Sequence, residues 1–177
     1  MAKEHTGMCL AQPPSPSEGQ LYTRDRTRRY RVASGDVILD AARSVVDQRM
    51  QRGASFADPK TASEFFQGKL AGLEREVFAV VMLDTRHRLI EYAELFQGTI
   101  DGAEVHPREV VRQALRCNAA ALIVAHNHPS GSVEPSAADR AVTARLKQAL
   151  ALVDVRLLDH IVVAGSKATS MAASGWV

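Results

Sequence analysis

The segment His126-Asn127-His128-Pro129-Ser130-Gly131-Ser132-Val133-Glu134-Pro135-Ser136-Ala137-Ala138-Asp139 holds the residue types best suited to chemistry. His126 and His128 are two positions apart. At the end of a strand, positions i and i+2 face the same way with a rise of about 6.6 Å between them. Two imidazoles so placed can converge on one ion through bonds of about 2.0–2.1 Å. Asn127 then faces the other way, Pro129 ends the ladder of strand hydrogen bonds, and Ser130-Gly131 supplies a tight turn. Asp139, just inside a helix that opens near Ser136, can turn its carboxylate back across the loop. Two imidazoles and a carboxylate form a borderline N/O set suited to one zinc ion. Three protein ligands leave a fourth position for water, as in catalytic rather than structural zinc sites. Such water can become a nucleophile near neutral pH.

Each residue also has a plainer explanation. Ser136 and Asp139 read as a capping box, S-x-x-D, and Ser136 can serve both the helix start and the chemistry. A single histidine at a strand end is usually a core or surface residue. Two of them around one residue, followed by Pro-Ser-Gly and a carboxylate, are rarely bystanders. His5, His87 and His106 fall in a tail, a turn and the residue before a helix-starting proline. His160 precedes an apolar run and could donate to a metal ligand. Cys117 reads as a packed helix residue. With no cysteine near the motif, deaminase chemistry of the H-x-E…P-C-x-x-C type is excluded, and H-E-x-x-H is absent.

The elements that must position these residues alternate between helix and strand. Asp36 can cap a helix carrying Ile38, Leu39, Ala42, Val45 and Val46 on one side. A second helix is predicted from Thr61 to Leu73, with Phe65, Phe66, Leu70 and Leu73 on one face. Val77 to Leu83 is an apolar run of strand length, answered across the turn Asp84-Thr85-Arg86-His87 by Leu89 to Phe96. Pro107 opens a helix well. Ala120 to Ala125 forms a central strand that runs directly into His126. A long amphipathic helix follows from Ser136, and Val155–Leu158 and Ile161–Val163 are two further strands. The fold class is α/β, with helices against a mixed central sheet.

The chain has 177 residues, 46% apolar and 24% charged, enough for one domain with a real core. Residues 1–33 read as a disordered tail, because AQPPSPSEGQ offers too few apolar residues to offset ordering; the domain is 34–177. No run of about 18 apolar residues predicts a membrane span, and the N-terminal residues lack an apolar signal region. Two cysteines argue against a disulfide framework. A cytoplasmic protein is the expectation. Much of the net charge of +2 traces to Arg24, Arg26, Arg28, Arg29 and Arg31. Such a stretch can collect phosphates, although charge runs are more often solvated.

The pattern His126-x-His128, seven residues, Ser136, two residues, Asp139 resembles the JAMM (MPN+) metalloprotease motif throughout. The longer string HPREVVRQALRCNAAALIVAHNHPSGSVEPSAAD, together with REVFAVVMLD, GTI, LLDHIVVAG and the terminal GWV, resembles RadC-like JAB-domain proteins of bacteria over roughly residues 35–177. That resemblance implies a JAB/MPN fold related to cytidine deaminases and metal-dependent cleavage of amide or isopeptide bonds. It also implies an upstream glutamate that activates the water and a serine, here Ser136, that steadies the oxyanion. Larger members carry an N-terminal helix-hairpin-helix region; this chain has the Pro/Ser-rich tail in its place.

Six glutamates are candidates for the base: Glu74, Glu76, Glu91, Glu94, Glu104 and Glu109. Glu76, immediately before the strand at Val77, matches the family's placement; its plainer role is a charge flanking an apolar strand. Glu94 is the second choice, and Glu109 suits the first turn of a helix. The leading expectation is a zinc metallopeptidase or isopeptidase acting on a protein or peptide. The alternative is a metal-stabilised module binding DNA or protein, in keeping with the family's DNA-repair label. Edge-strand pairing leaves a homodimer open.

Overall fold

The computed structural model describes residues 20–24, 29–49, 53–98 and 104–177. The chain divides into two units, Met1–Ala42 and Arg43–Val177. In the first, β1 (Tyr22–Arg24) pairs antiparallel with β2 (Tyr30–Val32). This corrects the expectation of a tail without structure through residue 33. Tyrosine, threonine and valine favour extended backbone, and the Arg24 guanidinium lies 5.2 Å from the Tyr30 ring centre. The proline-rich residues 1–19, and Arg26 and Arg28 of the arginine stretch, lie outside the described residues. Helix α1 (Gly35–Arg49) follows; it starts before Asp36, which lies inside the first turn rather than capping it, while the Ser34 hydroxyl accepts the Val37 N–H at 3.4 Å.

The second unit is built on a five-stranded sheet. Helix α2 (Pro59–Leu70) starts where Asp58 accepts the Thr61 N–H at 2.8 Å, with Pro59 in the first turn. Gly68 sits where a Cβ would come within 2.6 Å of Val46, so only glycine lets α2 pass this close. The later elements are β3 (Val77–Leu83), β4 (Leu89–Gln97), α3 (Pro107–Arg116), β5 (Ala121–Asn127), α4 (Ala137–Ala151), β6 (Arg156–Ala164) and β7 (Lys167–Ser170). Their spatial order is β4-β3-β5-β6-β7. Only β5 and β6 run parallel. Helix α4 is the crossover such a pair requires.

Two apolar clusters fill the two faces of this sheet. Phe56, Phe65, Phe66 and Leu70 pack against Ala79, Val81, Ile123 and Ala125 on one side. Val110, Ala114, Leu146 and Leu150 pack against Phe78, Val80, Leu122 and Val124 on the other. Covered on both faces, β3 and β5 are apolar at nearly every position and buried throughout.

One expectation at the C-terminus is corrected. The runs at Val155–Leu158 and Ile161–Val163 are a single strand, β6, that carries the polar pair Asp159-His160 through the sheet. Asp159 accepts from the His160 and Ala172 N–H groups and from the Ser170 hydroxyl, at 2.7, 2.9 and 2.6 Å. A buried carboxylate with three donors need not interrupt a strand. Among the described residues, no helix is long and apolar enough to cross a membrane.

Candidate metal centre

Strand β5 delivers its last residues to the C-terminal end of the parallel pair, where open α/β sheets place ligands. His126 is opposite Phe78 on β3 and Val162 on β6. Its ring lies on the α3/α4 side, stacked at 6.4 Å and 11° on Phe78. His128 donates its N–H to the Val163 carbonyl at 2.8 Å, which carries the ladder one residue further. The two imidazoles do face the same way, with ring centres 4.7 Å apart. The chain then turns at Gly131, whose N–H reaches the His128 carbonyl at 3.1 Å with φ +86, a conformation that favours glycine.

Helix α4 begins at a complete capping box. The Ser136 hydroxyl accepts the Asp139 N–H at 3.1 Å, and Asp139 Oδ2 accepts the Ser136 N–H at 2.7 Å. The Ser136 hydroxyl also donates to Oδ2 at 2.6 Å. These bonds fix the Asp139 carboxylate against both histidines. His126 Nε2 stands 3.2 Å from Oδ1, and His128 Nε2 stands 3.5 Å from Oδ2. The two Nε2 atoms are 2.9 Å apart.

This donor set fits a small divalent cation. A tetrahedral ion with bonds of about 2.0–2.1 Å sets its ligand atoms roughly 3.3 Å from one another. The separations above bracket that value, and one ligand atom from each of the three residues lies within 4.8 Å of the others. The electrostatics agree. Burial alone would raise the Asp139 pKa, but hydrogen bonds from His126 and His128 hold it well below the usual carboxylate range. The same bond to Asp139 raises His128 above an ordinary histidine, against the opposing effect of burial. A permanent carboxylate beside two imidazoles attracts positive charge.

The three residues open onto a cleft of about 560 Å³ that Glu76, Glu104, His106, Glu134, Ser136 and Arg145 also line. Two of the six glutamates weighed above therefore reach the cleft. Glu76 immediately precedes β3, with its carbonyl accepting the Gly98 N–H at 2.8 Å, and its charge contributes to the raised His128 pKa. Glu104 approaches from the residues before α3. Glu94 pairs with Ala79 and accepts from the Tyr92 hydroxyl at 2.9 Å, on the α2 side of the sheet. Glu91 and Glu109 pair with Arg116 and Arg112.

Residues 56–176 match the family model described as the RadC-like JAB domain. The chain belongs to the RadC-like JAB-domain family. The mixed sheet flanked by helices is consistent with the JAB/MPN domain. A UPF0758 protein of Vibrio cholerae serotype O1 is 55% identical over 140 residues, which cover 79% of this chain and 88% of that protein. UPF0758 proteins of Xylella fastidiosa and Xanthomonas campestris are 59% and 57% identical over 128 residues. Those matches cover 72% of this chain and 57% of each relative, so the chain spans little more than half their length.

Several side chains around the JAB-domain cleft carry no local sequence signal. Asn127 does face away from the histidines, but it is buried and braces the Glu76 segment. Its Oδ1 accepts the Val77 N–H at 2.8 Å, and its Nδ2 donates to the Leu73 and Arg75 carbonyls at 3.3 and 2.9 Å. Arg140 donates to the Pro135 carbonyl at 2.8 Å and lies 4.8 Å from the Trp176 ring, tying the metal loop to the terminal GWV. His106, set aside in the sequence, forms part of the cleft wall and packs against Phe96.

Proposed function

We propose that this domain is a zinc-dependent metallohydrolase of JAMM type that cleaves amide or isopeptide bonds in a protein or peptide. His126, His128 and Asp139 would hold the ion. One observation carries the reading: the ligand atoms of these residues converge at the floor of a cleft that Glu76 also lines. Bound zinc supplies Lewis acidity, polarising a carbonyl oxygen and easing loss of a proton from water.

The protein's own groups supply the rest. The Glu76 carboxylate accepts the proton of the attacking water and returns it to the leaving nitrogen, the task of a general base that becomes a general acid. Asn127 keeps Glu76 at the strand end by binding the main chain on either side of it. Ser136 holds Asp139 Oδ2 through its N–H and hydroxyl; with the N–H keeping that hold, the hydroxyl hydrogen would turn from Oδ2 into the cleft to steady a developing oxyanion. A cleft of this volume accommodates several backbone units of an extended chain.

The test pairs metal analysis with hydrolysis of a peptide library that includes Lys-linked isopeptides, read by mass spectrometry. The wild type carries one zinc per chain and hydrolyses part of the library. Glu76→Gln keeps the zinc and loses hydrolysis, whereas Glu104→Gln keeps both. Hydrolysis that survives Glu76→Gln, or that survives removal of the metal by a chelator, contradicts the reading.

A further inference from the structure

Behind His126 lies a line of buried polar side chains with no direct place in the cleft. His126 Nδ1 is 2.8 Å from His160 Nε2. His160 Nδ1 is 2.6 Å from the Thr143 hydroxyl, and that hydroxyl is 2.6 Å from the Asp139 main-chain carbonyl. His126, Thr143 and His160 are at most 1% exposed, so water cannot substitute for any of these bonds. Strand β6 supplies His160, and α4 supplies Thr143 one turn after Asp139.

The polarity of this line can be assigned from its end. A carbonyl oxygen only accepts, so the single hydroxyl hydrogen of Thr143 points to Asp139. Threonine in a helix commonly bonds back to the carbonyl four residues earlier. Thr143 must then accept from His160, which places the His160 proton on Nδ1. The ring is fully buried and its two nitrogens meet only His126 and Thr143, with no carboxylate to hold a second proton, so it carries that one proton only. Its Nε2 is a bare lone pair, and the bond to it draws the His126 proton onto Nδ1. The reverse polarity would press two acceptor oxygens together at 2.6 Å with no hydrogen between them.

We infer that His160 and Thr143 are positioning residues that lock the tautomer of His126, leaving its Nε2 lone pair free for the metal. The sequence suggests a donor role for His160; the geometry makes it an acceptor. His128 reaches the same result by simpler means, since its Nδ1 lies 2.8 Å from the Ser132 carbonyl and donates to it. Asp139 closes the circuit, with its side chain at the site and its main-chain oxygen at the far end of the line. Partners of this kind orient a ligating imidazole and raise its basicity. The inference rests on the metal-site reading above.

The test uses the full chain and zinc alone. Competition with a chromogenic chelator gives zinc affinity, and ¹⁵N spectra of the histidine rings give the tautomers. Thr143→Val keeps the side-chain shape but deprives His160 Nδ1 of its acceptor; His160→Leu removes the acceptor for His126. Each lowers zinc affinity about 10- to 100-fold at unchanged stoichiometry, while Thr143→Ser restores it to about the wild-type value. If His160→Leu fails to fold, Thr143→Val against Thr143→Ser decides. Wild-type affinity in Thr143→Val, or a His160 proton on Nε2, overturns the relay while leaving the metal site intact. Failure of the wild type to take up zinc removes the metal-site reading and the relay with it, so the two failures are told apart.

Discussion

Helices cover both faces of the five-stranded sheet, yet the two faces are packed differently. On the α2 side the contact is mainly aromatic and aliphatic: Phe65 meets Phe56 and Tyr92 edge-on at 5.3 and 5.4 Å, and Phe66 and Leu70 are fully buried, while the buried Asn127 and Asp159 bond to main-chain groups and Ser170 rather than to the cleft. On the α4 side the apolar cluster stops short of the strand ends. There it gives way to His126, His160 and Thr143, each held by a neighbour in the same layer. Apolar packing tolerates small shifts because dispersion is not directional. A line of hydrogen bonds tolerates few, because each donor needs one acceptor at one angle. The α2 face therefore stabilises the sheet, and the α4 face uses that rigidity to aim polar atoms at a common point.

Three perturbations sharpen this contrast, in decreasing order of expected effect. Phe66→Ala, on the α2 face, should cost about 3–5 kcal/mol in denaturant unfolding. Zinc stoichiometry should be unchanged in the molecules that remain folded. Loss of zinc at full stability would erase the division between the faces. Asn127→Ala, at the end of β5 on the α2 face, leaves the Val77 N–H and two carbonyls unpaired and should cost about 1–3 kcal/mol. Because it releases the Glu76 segment, it should depress hydrolysis while zinc affinity holds. Equal losses of both would show that Asn127 supports the whole strand end.

The third perturbation is pH, applied to chelator-treated protein. His128 binds its proton more tightly folded than unfolded, since its folded pKa is raised by Asp139. Its contribution to stability is therefore complete below the unfolded value of about 6.5 and fades as pH rises through the raised one. Melting temperature should fall gently across that window. Asp139→Asn should flatten the profile, and an unchanged slope in that variant would place the titrating group elsewhere.

Much of the scaffold was legible because its signals are local. Pro107 marks the start of α3, the Ser136–Asp139 box starts α4, and the apolar run into His126 is β5. The spacing that brings His126, His128 and Asp139 together is also local, since one strand end and one helix start suffice. The rest depends on partners distant in sequence. Asp159-His160 reads as a break in an apolar run until Ser170, Thr143 and His126 are seen to satisfy it. Strand β7, with the sequence KATS, has no pattern of its own and exists through its pairing with β6. Glu104 reaches the cleft from a stretch with no periodicity at all.

Diffraction at the zinc absorption edge, from crystals of the wild-type chain grown with stoichiometric zinc, tests the central claim most directly. The account predicts one anomalous peak at bonding distance from His126 Nε2, His128 Nε2 and an Asp139 carboxylate oxygen, with Glu76 facing it across the cleft. A peak bonded through His126 Nδ1, a peak held by other residues, or no peak at this site would contradict it.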